Sequence, residues 1–186
     1  MGSIINVKQP EFNLRSRLNE LDYDTIPYEK MPIGSVVQVV FNSLYGSAVG
    51  TTSSTFQDSG LFVNISPRFN SSKIIVTATI DAQSGNASGR GVEYTFFRQV
   101  DGTATNSSTN LLESASNKNY ITYSSASGYI HERAIMMAED NPNTTDQVQY
   151  RVFFHSHGGS NSGINKDWGG IMIKAEEIRQ WDLNLI

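Results

Sequence analysis

The chain has 186 residues, enough for one domain with a modest appendage. Apolar residues make up 38%, below the roughly 45–50% of a typical compact protein, and Ser, Thr, Asn and Gly fill the difference. The net charge is −4 with no Lys/Arg stripe, no apolar run nears the ~20 residues of a membrane span, and cysteine is absent, which argues against nucleic-acid and membrane partners and excludes disulfides and thiol chemistry.

In chain order, residues 1–32 read as a polar arm punctuated by Pro10, Pro27 and Pro32. Met1 to Pro10 has none of the charged, apolar and cleavage regions of a signal peptide. Leu14, Leu18 and Leu21 recur at i, i+4, i+7 and predict a short amphipathic helix, preceded by Phe12. So short a helix is unstable alone in water. Its apolar face must pack on its own sheet or on a neighbouring subunit, which makes Phe12, Leu14, Leu18 and Leu21 the candidate anchoring residues.

Residues 33–179 read as a succession of strands. Alternation of side chains predicts strands over Gly34–Tyr45, Gly60–Pro67, Lys73–Ala82 and Val92–Gln99. Further strands are predicted over Ala134–Glu139, Val148–His155 and Gly170–Ile178, with one around Asn119–Tyr123 inside the polar stretch Thr103–Ser127. In Lys73–Ala82, Ile74, Val76, Ala78 and Ile80 share one face while Ile75, Thr77 and Thr79 share the other. Asp101-Gly102 is a dipeptide favoured in tight hairpin turns. Strands spaced this way, with Gly, Asn and Ser between them and no βαβ rhythm, predict an all-β antiparallel sandwich.

Residues 180–186 form an apolar tail. Trp181, Leu183 and Leu185 alternate with Gln180, Asp182 and Asn184. Such a tail is expected to lie against another surface, as the last strand of its own sandwich or as an arm on an adjacent chain. These three residues are the candidate oligomer contacts.

Chemistry-bearing patterns are few. His155 and His157 stand at i, i+2, which on a strand puts both rings on one face and suits a transition metal; surface histidines are the alternative. Copies meeting on an axis would multiply the pair into an octahedral set. His131 is not tied to it. The turn from Asp140 to Asp146 is rich in oxygen ligands for calcium, although Asx and Thr side chains also cap their own turns. Asp81, Glu93, Glu113 and Asp140 are carboxylates of the kind a glycosidase pairs across ~5–10 Å, but no spacing marks a pair. No Gly-x-Ser-x-Gly elbow and no phosphate loop occur. Five Asn-x-Ser/Thr sequons, at Asn64, Asn70, Asn86, Asn106 and Asn143, follow from composition. Tyr120, Tyr123 and Tyr129 among Ser and Asn suit recognition of a sugar or protein surface, or one ordinary strand face. No catalytic residue and no cofactor are expected.

Several segments resemble a domain found in phage virion proteins, chiefly tail fibres and related appendages. They are Pro32–Val40, Ser59–Pro67, Ser71–Val76, Asp140–Thr145 leading into Val148–Val152, and Ile171–Ile178, in the expected order over most of Pro32 to Ile178. The resemblance implies a jelly-roll-like sandwich, a homotrimer, no catalysis and a place on the outside of a virion, in contact with other virion proteins. It does not reach Met1 to Met31, and the long repetitive shaft of a tail fibre is missing. A compact sandwich with a short arm equally suits a head decoration or a tail or baseplate attachment. The expected function is thus a non-enzymatic virion structural protein. The alternatives are a lectin-like domain that recognises host surface polysaccharide through loops such as Thr103–Ser127, and a glycan-degrading enzyme.

Overall fold

The computed structural model describes residues 28–46, 48–84, 88–112, 120–124, 128–159, 161–164 and 169–180. The chain divides into two compact units, Met1–Met31 and Pro32–Ile186. In the first, the described residues form a 3-10 turn, Tyr28–Lys30, with Met31 N donating to Tyr28 O at 3.2 Å. The helix expected around Leu14 to Leu21, with Phe12, lies outside the described residues, and so does the tail carrying Trp181, Leu183 and Leu185.

The described part of the second unit is built from strands. They are β1 (Val36–Leu44), β2 (Val49–Thr51), β3 (Gln57–Ile65), β4 (Lys73–Gln83), β5 (Arg90–Val100), β6 (Thr109–Asn110), β7 (Tyr120–Ser124), β8 (His131–Asp140), β9 (Val148–His157), β10 (Ser162–Ile164) and β11 (Ile171–Ile178). Sheet A runs β1-β11-β4-β10-β2, with β8 on the other side of β4. Sheet B runs β3-β9-β5-β6, with β7 also on β5. Every pairing is antiparallel.

One regularity explains this order. The early strands β1, β3, β4 and β5 pair respectively with the late strands β11, β9, β8 and β7. The chain is therefore one long hairpin rolled up so that successive rungs fall alternately in two sheets, which is a jelly roll. The antiparallel sandwich expected from the alternation is present.

The core lies between the sheets. From sheet A, Ile74, Val76, Ala78 and Ile80 of β4, Met136 of β8 and Ile171, Ile173 and Ala175 of β11 point inward and are buried. They meet Leu61, Val63 and Ile65 of β3, Val92, Tyr94 and Phe96 of β5, and Val148, Tyr150, Val152 and Phe154 of β9. Period-2 placement puts these side chains on one face of each strand, and burying a large one stabilises by roughly 1.5–3 kcal/mol.

Two irregularities aim the strands. Register shifts between Val36 and Gln38 of β1, so Val37 is buried while Val39 and Phe41 face outward. Register also shifts between Asp58 and Phe62 of β3, where Gly60 takes a φ of +79°, a region that side chains with a Cβ rarely adopt. The buried Ser59 Oγ donates to Val152 O at 2.6 Å and accepts from Leu61 N at 3.1 Å, replacing the ladder bonds lost there. Asp101-Gly102 departs from the tight hairpin that its sequence suggests. Asp101 has the positive φ, 49°, but the next strand is β6 at Thr109. The intervening residues cross the outside of sheet B, where Ala104 is buried and its N donates to Gln149 Oε1 at 2.9 Å.

Candidate functional site

The outer face of sheet A is a flat array of four strands, β8, β4, β11 and β1, whose register fixes its rows. Met137, Thr77, Lys174 and Phe41 form one row. Ile135, Thr79, Met172 and Ser43 form the next, and Glu139, Ile75, Glu176 and Val39 lie on the other side. Relative exposure is 73% for Phe41, 66% for Ile135 and 59% for Met137, while Val39 and Met172 are also exposed. Scattered exposed apolar residues are ordinary, whereas several sharing one face make it a candidate interaction surface.

Charges on this face come in both signs. Lys73 Nζ lies 2.7 Å from Glu139 Oε1, and Lys174 Nζ lies 3.0 Å from Glu176 Oε2. At one end, Arg133 Nη2 donates to Gly169 O and, at 2.6 Å, to Gly170 O. Asp81, directly opposite Arg133 across the ladder, is buried, and its Oδ2 has no hydrogen-bond partner among the described residues.

The outside of sheet B is covered differently. Phe56, Phe97 and Phe153 pack edge to face, with ring centroids 5.4 Å (Phe56–Phe97) and 5.0 Å (Phe97–Phe153) apart, under the Thr103–Ser108 crossing. His155 joins this cluster at 4.6 Å from Phe56, its Nε2 3.1 Å from Glu93 Oε2 and its Nδ1 3.1 Å from Ser156 O. Both ring nitrogens are thus engaged within the chain, and a metal at His155 would have to displace one of these contacts. His157, at the end of β9, is exposed. Among the described residues no group of three or more His, Asp or Glu is placed to hold a metal ion. His131 Nε2 accepts from Gln83 Nε2 at 3.2 Å, on the opposite sheet from His155.

Within the Asp140–Asp146 turn, several polar groups bond to one another. Asn143, at φ 53°, donates through Nδ2 to Asn141 O at 3.0 Å, and Thr144 Oγ1 both donates to Asp146 Oδ2 and accepts from Asp146 N at 3.0 Å. Asp140 turns inward: Arg98 Nη1 donates to its two oxygens at 2.8 and 3.1 Å, and Tyr150 Oη donates to Oδ2 at 2.8 Å. Burial first, then the Asp140 charge and hydrogen bond, hold the Tyr150 phenol well above its ordinary range, with Arg98 opposing. The carboxylates named from sequence are dispersed rather than paired: Asp140 and Asp81 sit on sheet A, Glu93 on sheet B, and Glu113 outside the described residues. Tyr120 and Tyr123 fall on β7 and Tyr129 is exposed before β8.

Sequence reasoning missed the sheet A face. Its signal was present in the apolar residues on both phases of Val36–Phe41 and in Ile135 and Met137, which break the apolar-in, polar-out alternation of a strand with one solvated face.

No protein-family model matches the chain, and no curated protein matches it. Among solved structures it is similar to the VP2 subviral particle of infectious bursal disease virus, at 11% identity and a TM-score of 0.29. The match covers 78% of this chain and 39% of that one, so the chain spans about two fifths of that protein's length. The fold assignment rests on the strand order and not on this likeness.

Proposed function

We propose that the chain is a non-enzymatic structural subunit that assembles with copies of itself, as a homotrimer, through the outer face of sheet A. The observation that carries the reading is the exposure of Phe41, Ile135, Met137 and Met172 on one flat four-stranded face. Further copies suit that face because it carries both Lys and Glu, so three such faces turned toward a common axis gather without a single-sign field. Four strands about 4.8 Å apart and eight residues long present on the order of 500 Å² in projection. Side-chain relief raises this toward the ~800 Å² that each partner gives to a standard interface.

The virion setting is supported by the ordered sequence resemblance between Pro32 and Ile178, and the jelly roll is compatible with it. Two of the four carboxylates weighed for catalysis are engaged structurally, Asp140 with Arg98 and Tyr150, and Glu93 with His155. That favours a packing role on the outside of a particle, among other virion proteins, over chemistry.

Light scattering on the full chain at micromolar concentration tests the assembly. A mass of three chains is expected, falling to one chain in the Phe41→Ser, Met137→Ser double variant with its circular dichroism unchanged. A monomeric parent, or a trimer that survives both substitutions, would overturn the reading.

A further inference from the structure

The rims of the sandwich differ in how they are finished. On one side, β1 and β3 each carry a register shift, between Val36 and Gln38 and between Asp58 and Phe62. Side chains of β1 also cross to β3 there, Asn42 Nδ2 donating to Phe62 O at 2.9 Å and Gln38 Nε2 to Ser66 O at 2.7 Å. Bulges and covering groups of this kind keep a rim strand from templating another strand.

β8, the rim strand on the far side of sheet A, is regular throughout. Its ten residues pair with β4 without a register shift, from His131 opposite Gln83 to Asp140 opposite Ile74. It contains no proline and no glycine, and its middle, Ala134–Ala138, carries no charge. Among the described residues β4 is the one strand that pairs with it. A rim so long, regular and apolar is the kind that takes up a further strand.

The side chains of β8 select the partner. Arg133, Ile135, Met137 and Glu139 share its outer face, the end residues of opposite charge and the middle two apolar and exposed. Reversed, this series is its own complement. A second β8 laid antiparallel, with Met136 opposite Met136, sets Arg133 against Glu139 and Ile135 against Met137, each pair occurring twice. Directly opposite residues on one face have Cβ atoms about 4.5–5.5 Å apart, within reach for both kinds of pair. The charged groups have capacity for it. Arg133 bonds to Gly169 O and Gly170 O through Nη2, which leaves Nε and Nη1, and Glu139 meets Lys73 through Oε1, which leaves Oε2. On the other phase Glu132 comes opposite Asp140, but Asp140 is turned inward onto Arg98 and Tyr150 while Glu132 is exposed. A parallel partner would set Arg133 against Arg133, and a slip of two residues would set it against an apolar side chain.

We propose that two copies of the chain pair β8 to β8, antiparallel about a twofold axis at Met136, so that sheet A runs on from one copy into the other. One strand pair is small beside the ~800 Å² that each partner gives to a standard interface. The contact therefore forms where copies are crowded together and not at micromolar concentration. It does not depend on the trimer, because Phe41 lies on β1 at the opposite rim of the sheet.

Cysteine cross-linking tests the pairing, since the chain has no cysteine of its own. Full-length Ile135→Cys and Met137→Cys chains are mixed in equal amounts at submillimolar concentration and oxidised in air. The disulfide between positions 135 and 137 is expected to dominate over both homodisulfides. Arg133→Glu or Glu139→Arg, carried in both chains, turns two opposite-charge pairs into like-charge pairs and should lower the yield roughly tenfold. The two charge changes together should restore it, although the bonds of Arg133 to the Gly169 and Gly170 carbonyls stay lost. Circular dichroism checks that each variant is folded, and Glu139→Arg, which keeps those bonds, decides the matter if the exchange of charges does not fold. Phe41→Ser should leave the cross-link unchanged whatever it does to the trimer. Homodisulfides in equal yield, no disulfide between 135 and 137, a yield indifferent to Glu139→Arg, or a folded charge exchange that restores nothing would each overturn the proposal.

Discussion

Tyr150 of β9 and Asp140 of β8 stand on opposite sheets, and the phenol donates to Asp140 Oδ2 at 2.8 Å through the buried interior. Arg98 of β5 closes the same network from the Tyr150 side. The two sheets acquire a directional tie at one end of the sandwich, as Asn42 Nδ2 donating to Phe62 O and Ser162 Oγ donating to Gly91 O supply elsewhere.

That tie makes the fold sensitive to alkali. The Tyr150 pKa is raised in the folded state, above the ordinary ~10 of an unfolded tyrosine. Above pH ~10 the unfolded chain releases this proton and the folded chain keeps it, so the stabilisation present below that pH is lost as pH rises. The slope approaches about 1.4 kcal/mol per pH unit. Urea midpoints measured from pH 8 to 11 should fall in the parent and fall less steeply in Tyr150→Phe. Equal slopes would show that another group dominates.

The Arg98–Asp140 pair should behave asymmetrically. Arg98→Met leaves a buried carboxylate with Tyr150 alone and should cost about 3 kcal/mol. Arg98→Met combined with Asp140→Leu removes both charges and should cost less than the single change. Denaturation of the four proteins of the cycle measures this; a double variant weaker than the single would contradict it.

Glu177 is fully buried on β11 and gathers four donors. Gln38 Nε2 lies 2.6 Å from Oε2, and Ser72 Oγ at 2.5 Å, Arg68 N at 2.7 Å and Phe69 N at 3.3 Å donate to Oε1. The carboxylate thus holds the β3–β4 turn. Glu177→Ala should cost about 3 kcal/mol, since two backbone N–H groups lose their acceptor. Hydrogen exchange should accelerate first at Arg68 and Phe69, and unaltered exchange there would refute the assignment.

Glycines 60 and 102 offer a matched comparison. Gly60→Ala forces a Cβ into φ +79° and should cost about 1–2 kcal/mol. Gly102 lacks that conformation, and its Cβ would meet only Gln99 Cγ at 3.4 Å, so Gly102→Ala should be close to neutral. Thermal melts of the two variants discriminate.

Much of the framework was legible in the sequence because its inner faces obey period 2. Ile74, Val76, Ala78 and Ile80 announce β4, and Val148, Tyr150, Val152 and Phe154 announce β9. β2, β6 and β10, of two or three residues each, are too short to show any period. The orientation of β1 was hidden because apolar residues occupy both phases, and the register shift after Val36 decides which face turns inward. The pairing of Asp58 with Arg151 was hidden for a different reason: the two are 93 positions apart, and only the pairing of β3 with β9 brings them together. The loop Thr103–Ser127 was singled out from sequence, yet nothing local marks Phe56 O as the acceptor of its Asn106 amide.

The pairing of β1 with β11 also fixes where the sandwich joins the rest of its polypeptide. Gly34 N donates to Arg179 O at 2.9 Å and Arg179 N donates to Ser35 O at 3.0 Å, so the strand that opens the roll and the strand that closes it are stitched together at their outer ends. Chain arrives and departs at neighbouring points, like the two leads of a plug. A module wired in this way can be spliced into a loop of a larger protein without prying its host apart, and its sequence can be rotated, with new termini cut elsewhere, while every rung of the roll is kept.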